Sequence, residues 1–500
     1  MLWLALELPS LPLQIVERAG VARDALVIAE GPGQRPVVAC ANAAAQSAGV
    51  REGQAVAAAK ALAGNLRVVP RDRDAEKETL ERLAAWAGQF TPMVAVEAQG
   101  IVLEVESSVR LFGGHARLAA AVRQGLRELG FRGLLGVAPT PLAARLFARA
   151  GAQGLRARGC LHPAQLETRL AELPLFLLDW PQRTLERLAD LGILRVRDAL
   201  ALPAEGLARR FGPEIVDCLA RLVGRIVDPR EPYVPAPRFR SRVELPCEVD
   251  GVEALAFALH RMLVEFEGAL RGRGAGAQRI VLTLEHGREA RTQVALEFAS
   301  PEREAQFILA IAREKLARTA LPGPTIALRL AADALLERAP RDTSWLPGER
   351  ERALDRERLV ERLAARLGRD RVYGIALADD HRPERDWKKS ENRGQATFFK
   401  VRNSKAARNS PHEKCGLSPV SPRPVWLLKR PQRLIVQQGM PTLQGPLEIA
   451  SGPERIESGW WDGDEVRRDY YVASNALGEA FWIFREHRDP SAWYLHGVFA

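Results

Sequence analysis

Cysteine is scarce in this chain and never clustered. Cys40, Cys160, Cys218, Cys247 and Cys415 stand far apart, with no CxxC pair and no histidine at zinc-finger spacing. That excludes a structural zinc module and favours a reducing, cytoplasmic setting without metal. Long apolar runs are missing too: no window approaches the roughly 18 uninterrupted apolar residues of a membrane span, so no membrane role is expected. The start, Met1 to Glu7, has neither the basic leader nor the small-residue cleavage site of a secretion signal and reads as a buried first strand. Evenly spread basic charge is also lacking. The net charge is +10, but residues 388–420 hold eight Lys/Arg against two acids, which is +6 of that total. Bulk charge is therefore weak ground for nucleic-acid binding.

What is present is a long, modular chain. Five hundred residues exceed the roughly 250–300 at which single cores stop growing and imply roughly three to five domains. Apolar alternation gives a strand at 2–8 and a hairpin, Val94–Glu97 with Ile101–Val105. Helices are expected from Asp74, as N-cap, to Gln89 and from His115 to Leu129, and a short strand at Leu134–Ala138. This is the split βαβ, ferredoxin-like order, with an extra helical lobe inserted at 11–73.

Residues 165–228 read as wholly helical, and Leu188 to Ile193 form a tight turn around Gly192. A helix-hairpin-helix there would offer the amides of Gly192 and Ile193 to a DNA phosphate; an ordinary helix–helix turn is the alternative. A Pro-rich linker follows at 229–240. Residues 241–335 then repeat the split βαβ order, with a loop, Arg271 to Arg279, whose Arg271, Arg273 and Arg279 alternate with glycines. Such a loop either grips a phosphate backbone or is simply solvated. A charged connector, 336–387, carries Leu359, Leu363 and Leu367 as a packing stripe. Residues 388–420 look like inserted, disordered sequence, with a basic DNA-binding arm as the alternative. Residues 421–500 form a small, aromatic-rich β domain.

Two split βαβ units separated by a helical hairpin domain resemble the palm, fingers, thumb and little finger of Y-family lesion-bypass DNA polymerases. In those terms the palm is 1–10 and 74–164, the fingers 11–73, the thumb 165–228 and the little finger 241–335, an α+β multidomain fold. Ala48-Gly49-Val50 is similar to the end of a fingers motif. Gly136 to Arg145 looks like the palm segment that in active members reads Gly-Ile-Ala-x-Asn-Lys-x-Leu-Ala-Lys. Other phrases resemble a degenerate branch that serves as the polymerase-like subunit of bacterial mutagenesis complexes: Leu2 to Leu6, Leu111-Phe112-Gly113-Gly114, Asp380 to Glu384, Gly452 to Ile456 and Gly459-Trp460-Trp461.

Nucleotidyl transfer in that family needs two divalent cations held by carboxylates. Matching motif to motif puts Leu8 at the first-strand Asp and Gln99-Gly100 at the Asp-Glu pair. The fingers Tyr and Arg become Ala43 and Gln46, and the palm Lys becomes Pro141. The resemblance therefore implies no cofactor, no metal and no catalysis. A site displaced onto Glu7, Glu104 and Glu106 is the enzyme alternative. It further implies a cytoplasmic, nucleoid-associated scaffold of SOS-type, error-prone synthesis on damaged or primed DNA. Its partners would be the sliding clamp, through Asp342, Trp345 and Leu346, a RecA-like subunit and an error-prone C-family polymerase. Trp460, Trp461, Tyr470 and Tyr471 are the candidates for partner contact.

Overall fold

The computed structural model describes residues 1–18, 24–31, 35–155, 159–287, 290–338, 349–390, 423–424 and 426–499. It divides into two compact units, Met1–Arg366 and Leu367–Ala500.

The first unit opens with β1 (Trp3–Glu7), α1 (Leu11–Glu17), β2 (Leu26–Glu30), β3 (Val37–Ala41), α2 (Ala43–Ser47), α3 (Val56–Leu62) and β4 (Arg67–Pro70). The lobe expected to be helical is thus mixed, because β2 pairs with β3 and, in parallel, with β4. Its alanine content suggests helix, but the apolar runs at 26–29, 37–38 and 68–69 prefer a pleated surface. Next come α4 (Arg73–Ala87), β5 (Val94–Glu97), β6 (Gly100–Glu104), α5 (His115–Glu128), β7 (Leu134–Ala138) and α6 (Pro141–Ala152). The cap of α4 is Asp72, whose carboxylate accepts from the Ala75 amide at 2.9 Å, not Asp74. An acid two positions further in sits in the first turn, where it complements the helix dipole without capping.

The palm sheet runs β5-β6-β1-β7, all antiparallel. Both its faces are covered, so its central strand reads as an unbroken apolar run. Leu4, Leu6 and Leu8 pack with α4 and α5 residues such as Leu83, Trp86 and Leu126. Trp3 and Ala5 pack on the opposite face with α6 and with the helical segment after it. That segment contains α7 (Pro163–Leu170), α8 (Gln182–Asp190), α9 (Val196–Leu200), α10 (Ala204–Phe211) and α11 (Pro213–Leu222).

The second split βαβ consists of β8 (Phe239–Val249), α12 (Val252–Arg271), β9 (Ala275–His286), β10 (Arg291–Glu302), α13 (Ala305–Leu316) and β11 (Thr325–Ala332). Its strand order is β10-β9-β11-β8, so the same sequence of elements folds differently from the palm. In both sheets the two strands joined by the first crossover helix leave a slot for one neighbour. The third strand of the motif fills it in the palm and the fourth in this domain. A short β12 (Leu336–Glu337) pairs with β9, and α14 (Glu349–Leu367) seats Ala365 in the core. Leu359, Leu363 and Leu367, expected to pack, are exposed. The helix is held instead by Arg358, which pairs with Glu302 and lies over Phe307, and by Glu361, which accepts from the Ala299 amide.

The second unit holds β13 (Gly374–Leu377) paired with β14 (Trp387–Ser390). After it come β15 (Trp426–Arg433), β16 (Ile435–Gln437), β17 (Met440–Thr442), β18 (Glu448–Ser458), β19 (Val466–Ser474), β20 (Ala480–Glu486) and β21 (Asp489–Val498). Five of these form one antiparallel sheet, β15-β21-β20-β19-β18. Lys388 and Lys389, placed by charge in an insertion, belong to β14, where they pair with Ala376 and Ile375. The rest of that segment, from 391 to 420, lies outside the described residues.

Candidate functional site

The positions matched to metal-binding carboxylates lie together at one end of the palm sheet. Leu8 is buried in the α4–α5 core, and its amide donates to the Gln99 carbonyl at 2.8 Å. Gln99 is exposed in the β5–β6 turn. Gly100 pairs with Glu7, and a Cβ there would lie 2.0 Å from the Leu6 carbonyl oxygen. No side chain of any kind fits at that position, because two backbones already touch.

Glu7 points to the opposite face from Leu8, as strand alternation requires, and there it meets α6. One carboxylate oxygen accepts from Arg145 Nε at 2.7 Å and the other from Arg149 Nε at 3.2 Å. Glu104, the other carboxylate of a displaced site, pairs in register with Trp3 while Glu7 pairs with Gly100. Four strand residues, about 13 Å at about 3.3 Å each, separate them, too far to share a cation pair. Glu106 holds the N-terminal amine of Met1 at 2.7 Å. The matched nucleotide-contact positions are likewise engaged locally or bare. Ala43 opens α2, the Gln46 side-chain Nε2 donates to the Ala41 carbonyl at 2.9 Å, and Pro141 opens α6 behind the Thr140 cap.

The helical turn and the Gly-Arg loop both make contacts within the chain. Gly192 adopts φ +76°. Its amide donates to the Ala189 carbonyl and that of Ile193 to Leu188, while the amides of Leu194 and Arg195 both donate to the Asp198 carboxylate. Those donors are taken by the chain itself. The loop is only Gly272 to Gly274, since Arg271 ends α12 and Arg279 lies within β9. A Cβ on Gly272 would lie 2.7 Å from the Gly88 backbone, so this glycine permits α12 to dock on the end of α4. Arg271 pairs with Glu267 one helical turn back, at 2.5 Å, and Arg273 is half-buried beside Tyr233.

Sequence reasoning missed a basic sheet face. Period-two alternation sends Leu282, Leu284, Leu328 and Leu330 into the core and leaves Arg240, Arg242, Arg279, Arg291 and Arg329 exposed on the strands. Arg242 stands opposite Arg329 in register, Thr283 follows on β9, and Gln293 on β10. Glu285 accepts from both Arg242, at 3.0 Å, and Arg329. Burial raises the Glu285 carboxyl pKa, but the two guanidiniums outweigh that and hold it low. The signal was available: Arg238, Arg240 and Arg242 alternate into the start of β8.

In the second unit, Trp460 and Trp461 are 76% and 56% exposed and meet edge to face, with centroids 5.5 Å apart. Their turn is braced by Arg382, whose guanidinium forks onto Asp380 and Asp462 and donates to the Asp464 carbonyl. Tyr470 and Tyr471, grouped with these tryptophans by composition, are core residues instead, at 1% and 8% exposure. Tyr470 stacks on Trp482 and shares a hydrogen bond with His496 Nδ1 at 2.7 Å. As neighbours on β19 they enter opposite faces of the sheet, and both faces are covered there. Asp342, Trp345 and Leu346 lie outside the described residues.

Residues 13–149 match the model of the impB/mucB/samB family. Over 496 residues, 90% of this chain and 100% of the relative, the sequence is 29% identical to Protein ImuB of Caulobacter vibrioides. Over 182 residues, 36% of this chain and 50% of the relative, it is 27% identical to DNA polymerase IV of Shewanella halifaxensis. Among solved structures, DinB from Sulfolobus solfataricus aligns at 18% identity and a TM-score of 0.39, covering 68% of this chain and 100% of that one. A ternary complex of Dbh DNA polymerase aligns at 18% identity and 0.40, covering 67% and 99%. The palm topology and the family match together define a homologue of the Y-family DNA polymerases. The near full-length match narrows this further: the chain is an ImuB-like homologue.

The donors present do not fit the pair of divalent cations that the polymerase fold implies. One matched position is apolar, one has no room for a side chain, and the neighbouring Glu7 is held by two guanidiniums. Among the described residues no helix is long and apolar enough to cross a membrane.

Proposed function

We propose that this chain is a non-catalytic, DNA-binding scaffold of error-prone translesion synthesis, one that links a sliding clamp, a RecA-like subunit and a C-family mutagenic polymerase. One observation carries the loss of catalysis: Gly100, at a matched carboxylate position, has a backbone oxygen where a Cβ would go. No conservative drift restores a metal ligand there without parting β6 from β1. The basic face of the β8–β11 sheet supports DNA binding through phosphate contact, which is sequence-independent and salt-sensitive. The exposed Trp460–Trp461 pair supports protein contact, since indoles dominate interface energetics. The clamp contact is assigned to Asp342, Trp345 and Leu346 on sequence alone.

Primer extension on damaged and undamaged templates with Mg²⁺ tests the first part. The purified chain adds no nucleotide. Template-dependent addition that is abolished by Glu7→Gln or Glu104→Ala would return the chain to the polymerases.

A further inference from the structure

Loss of catalysis does not explain why a carboxylate, Glu7, is buried at this end of β1. Glu7 is 2% exposed, and an isolated buried carboxylate is costly. It is far from isolated. Arg145, which holds one Glu7 oxygen, also donates from Nη1 to Glu97 on β5 at 2.8 Å. Arg149, which holds the other, reaches outward to Asp179 at 2.5 and 2.9 Å and to the Leu177 carbonyl at 3.1 Å. The second oxygen of Glu97 lies 2.8 Å from Arg230 Nε, and Arg230 in turn forks onto Asp228 at 2.7 and 3.0 Å.

These residues come from five places: β1, the β5–β6 hairpin, α6, the segment leading to α8, and the linker after α11. Three guanidiniums (Arg145, Arg149, Arg230) face four carboxylates (Glu7, Glu97, Asp179, Asp228), and five of these residues, Arg145, Arg149, Asp179, Asp228 and Arg230, line a cavity of about 330 Å³ between palm and thumb. We propose that the α6 face of the palm sheet, opposite Leu8, works as an internal arginine–carboxylate latch, which ties the thumb and the linker to the palm sheet. Forked, charge-assisted hydrogen bonds are directional and strong when shielded from water. A magnesium ion would have to displace both Nε donors and then find near-octahedral oxygen ligands, which Leu8 and Gly100 do not supply. The inference rests on the non-catalytic reading in one respect: the same carboxylates cannot serve a latch and a working cation pair.

The test uses the full chain with hydrogen exchange read by mass spectrometry. Asp179→Asn removes an exposed carboxylate, so folding is not at stake, and Arg149→Lys keeps the charge but loses the fork. Each variant raises exchange by about tenfold or more in residues 175–190 and at the end of β1, with α12 and β9 unchanged, as expected of local opening. Unchanged exchange in both variants overturns the latch and leaves the scaffold reading standing. Mn²⁺ binding by the wild type, detected by proton relaxation and abolished by Glu7→Gln, also overturns the latch. If primer extension accompanies that binding, the scaffold reading falls with it.

Discussion

Replacing Glu265 by Gln should loosen the docking of α12 on α4 before anything else in the first unit. Glu265 is 1% exposed. It accepts from Arg18 Nη2, and its other oxygen lies 2.9 Å from Arg82 Nε. Arg18 is itself buried, donates to the Leu129 carbonyl at 2.9 Å and lies over Phe131. Burial raises the Glu265 carboxyl pKa, but Arg18 and Arg82 more than reverse this and hold it low, so it is ionised at neutral pH. Nearby, burial and the charge of Arg18 hold the Arg261 guanidinium below its usual value. Neutralising the one anion strands buried cations, which costs about 3–5 kcal/mol. At about 1.36 kcal/mol per tenfold, exchange protection in α12 should fall by roughly two to three and a half orders of magnitude. Hydrogen exchange on the intact chain is the right assay, because several domains do not give one unfolding free energy. The triple variant Arg18→Met, Glu265→Leu, Arg82→Met should regain most of that protection, since apolar replacement of a whole buried ion cluster is often neutral or stabilising. A loss of less than about threefold in Glu265→Gln, against the orders of magnitude expected of a buried charge, would refute the reasoning. So would a triple variant as unstable as the single one.

Four further outcomes are expected. Arg240→Ala with Arg279→Ala weakens DNA binding at all sequences and lowers the salt slope by about 0.9 per lost phosphate contact; an unchanged slope removes the sheet face. Trp345→Ala with Leu346→Ala weakens clamp capture and leaves DNA affinity alone, whereas equal capture discards that segment. Trp460→Ala with Trp461→Ala shifts stability by under about 0.5 kcal/mol yet abolishes pull-down of the RecA-like subunit or the C-family polymerase, while Tyr470→Phe costs about 1–2 kcal/mol. Finally, burial pushes the pKa of His496 down despite Glu384, with its Nε2 3.6 Å from that carboxylate. A folded pKa below the ordinary 6.5 gives stability that is complete above that pH and lost as pH falls toward the folded value. Protection factors in β19–β21, which correct for the slower chemical exchange at low pH, should therefore fall on acidification from pH 6.5, and His496→Phe should flatten that fall; a persistent slope would assign it elsewhere.

What was legible in the sequence was whatever local periodicity encodes. The palm and little-finger elements follow from alternating and 3.6-period apolar patterns, and the element order is right in both. What was not legible depends on partners far apart in the chain. Arg145 and Glu7 are 138 residues apart, and Arg18 and Glu265 are 247 apart, so no window of sequence reveals that these charges neutralise one another. The strand order of the second sheet is equally hidden, because one sequence of elements permits either neighbour in the slot beside the first strand. The same limit explains the aromatic tail, where composition grouped Tyr470 with Trp460 although Tyr470 is buried within β19 and Trp460 is exposed in the turn before it.

The carboxylates make the sharpest case, because motif matching compared residues one by one and asked only whether an acid stands at each position. That comparison finds Leu8 and Gly100 and predicts an absence of chemistry. The fold adds that Glu7 stands one residue away on the other face, and strand alternation makes a one-residue displacement a change of side. A carboxylate on the α6 face meets Arg145 and Arg149 and is already neutralised. Restoring an acid at position 8 would bury it in the leucine core beside α4, and position 100 admits no acid at all. On the non-catalytic reading proposed above, a carboxylate at position 100 therefore requires moving a strand, not changing a side chain.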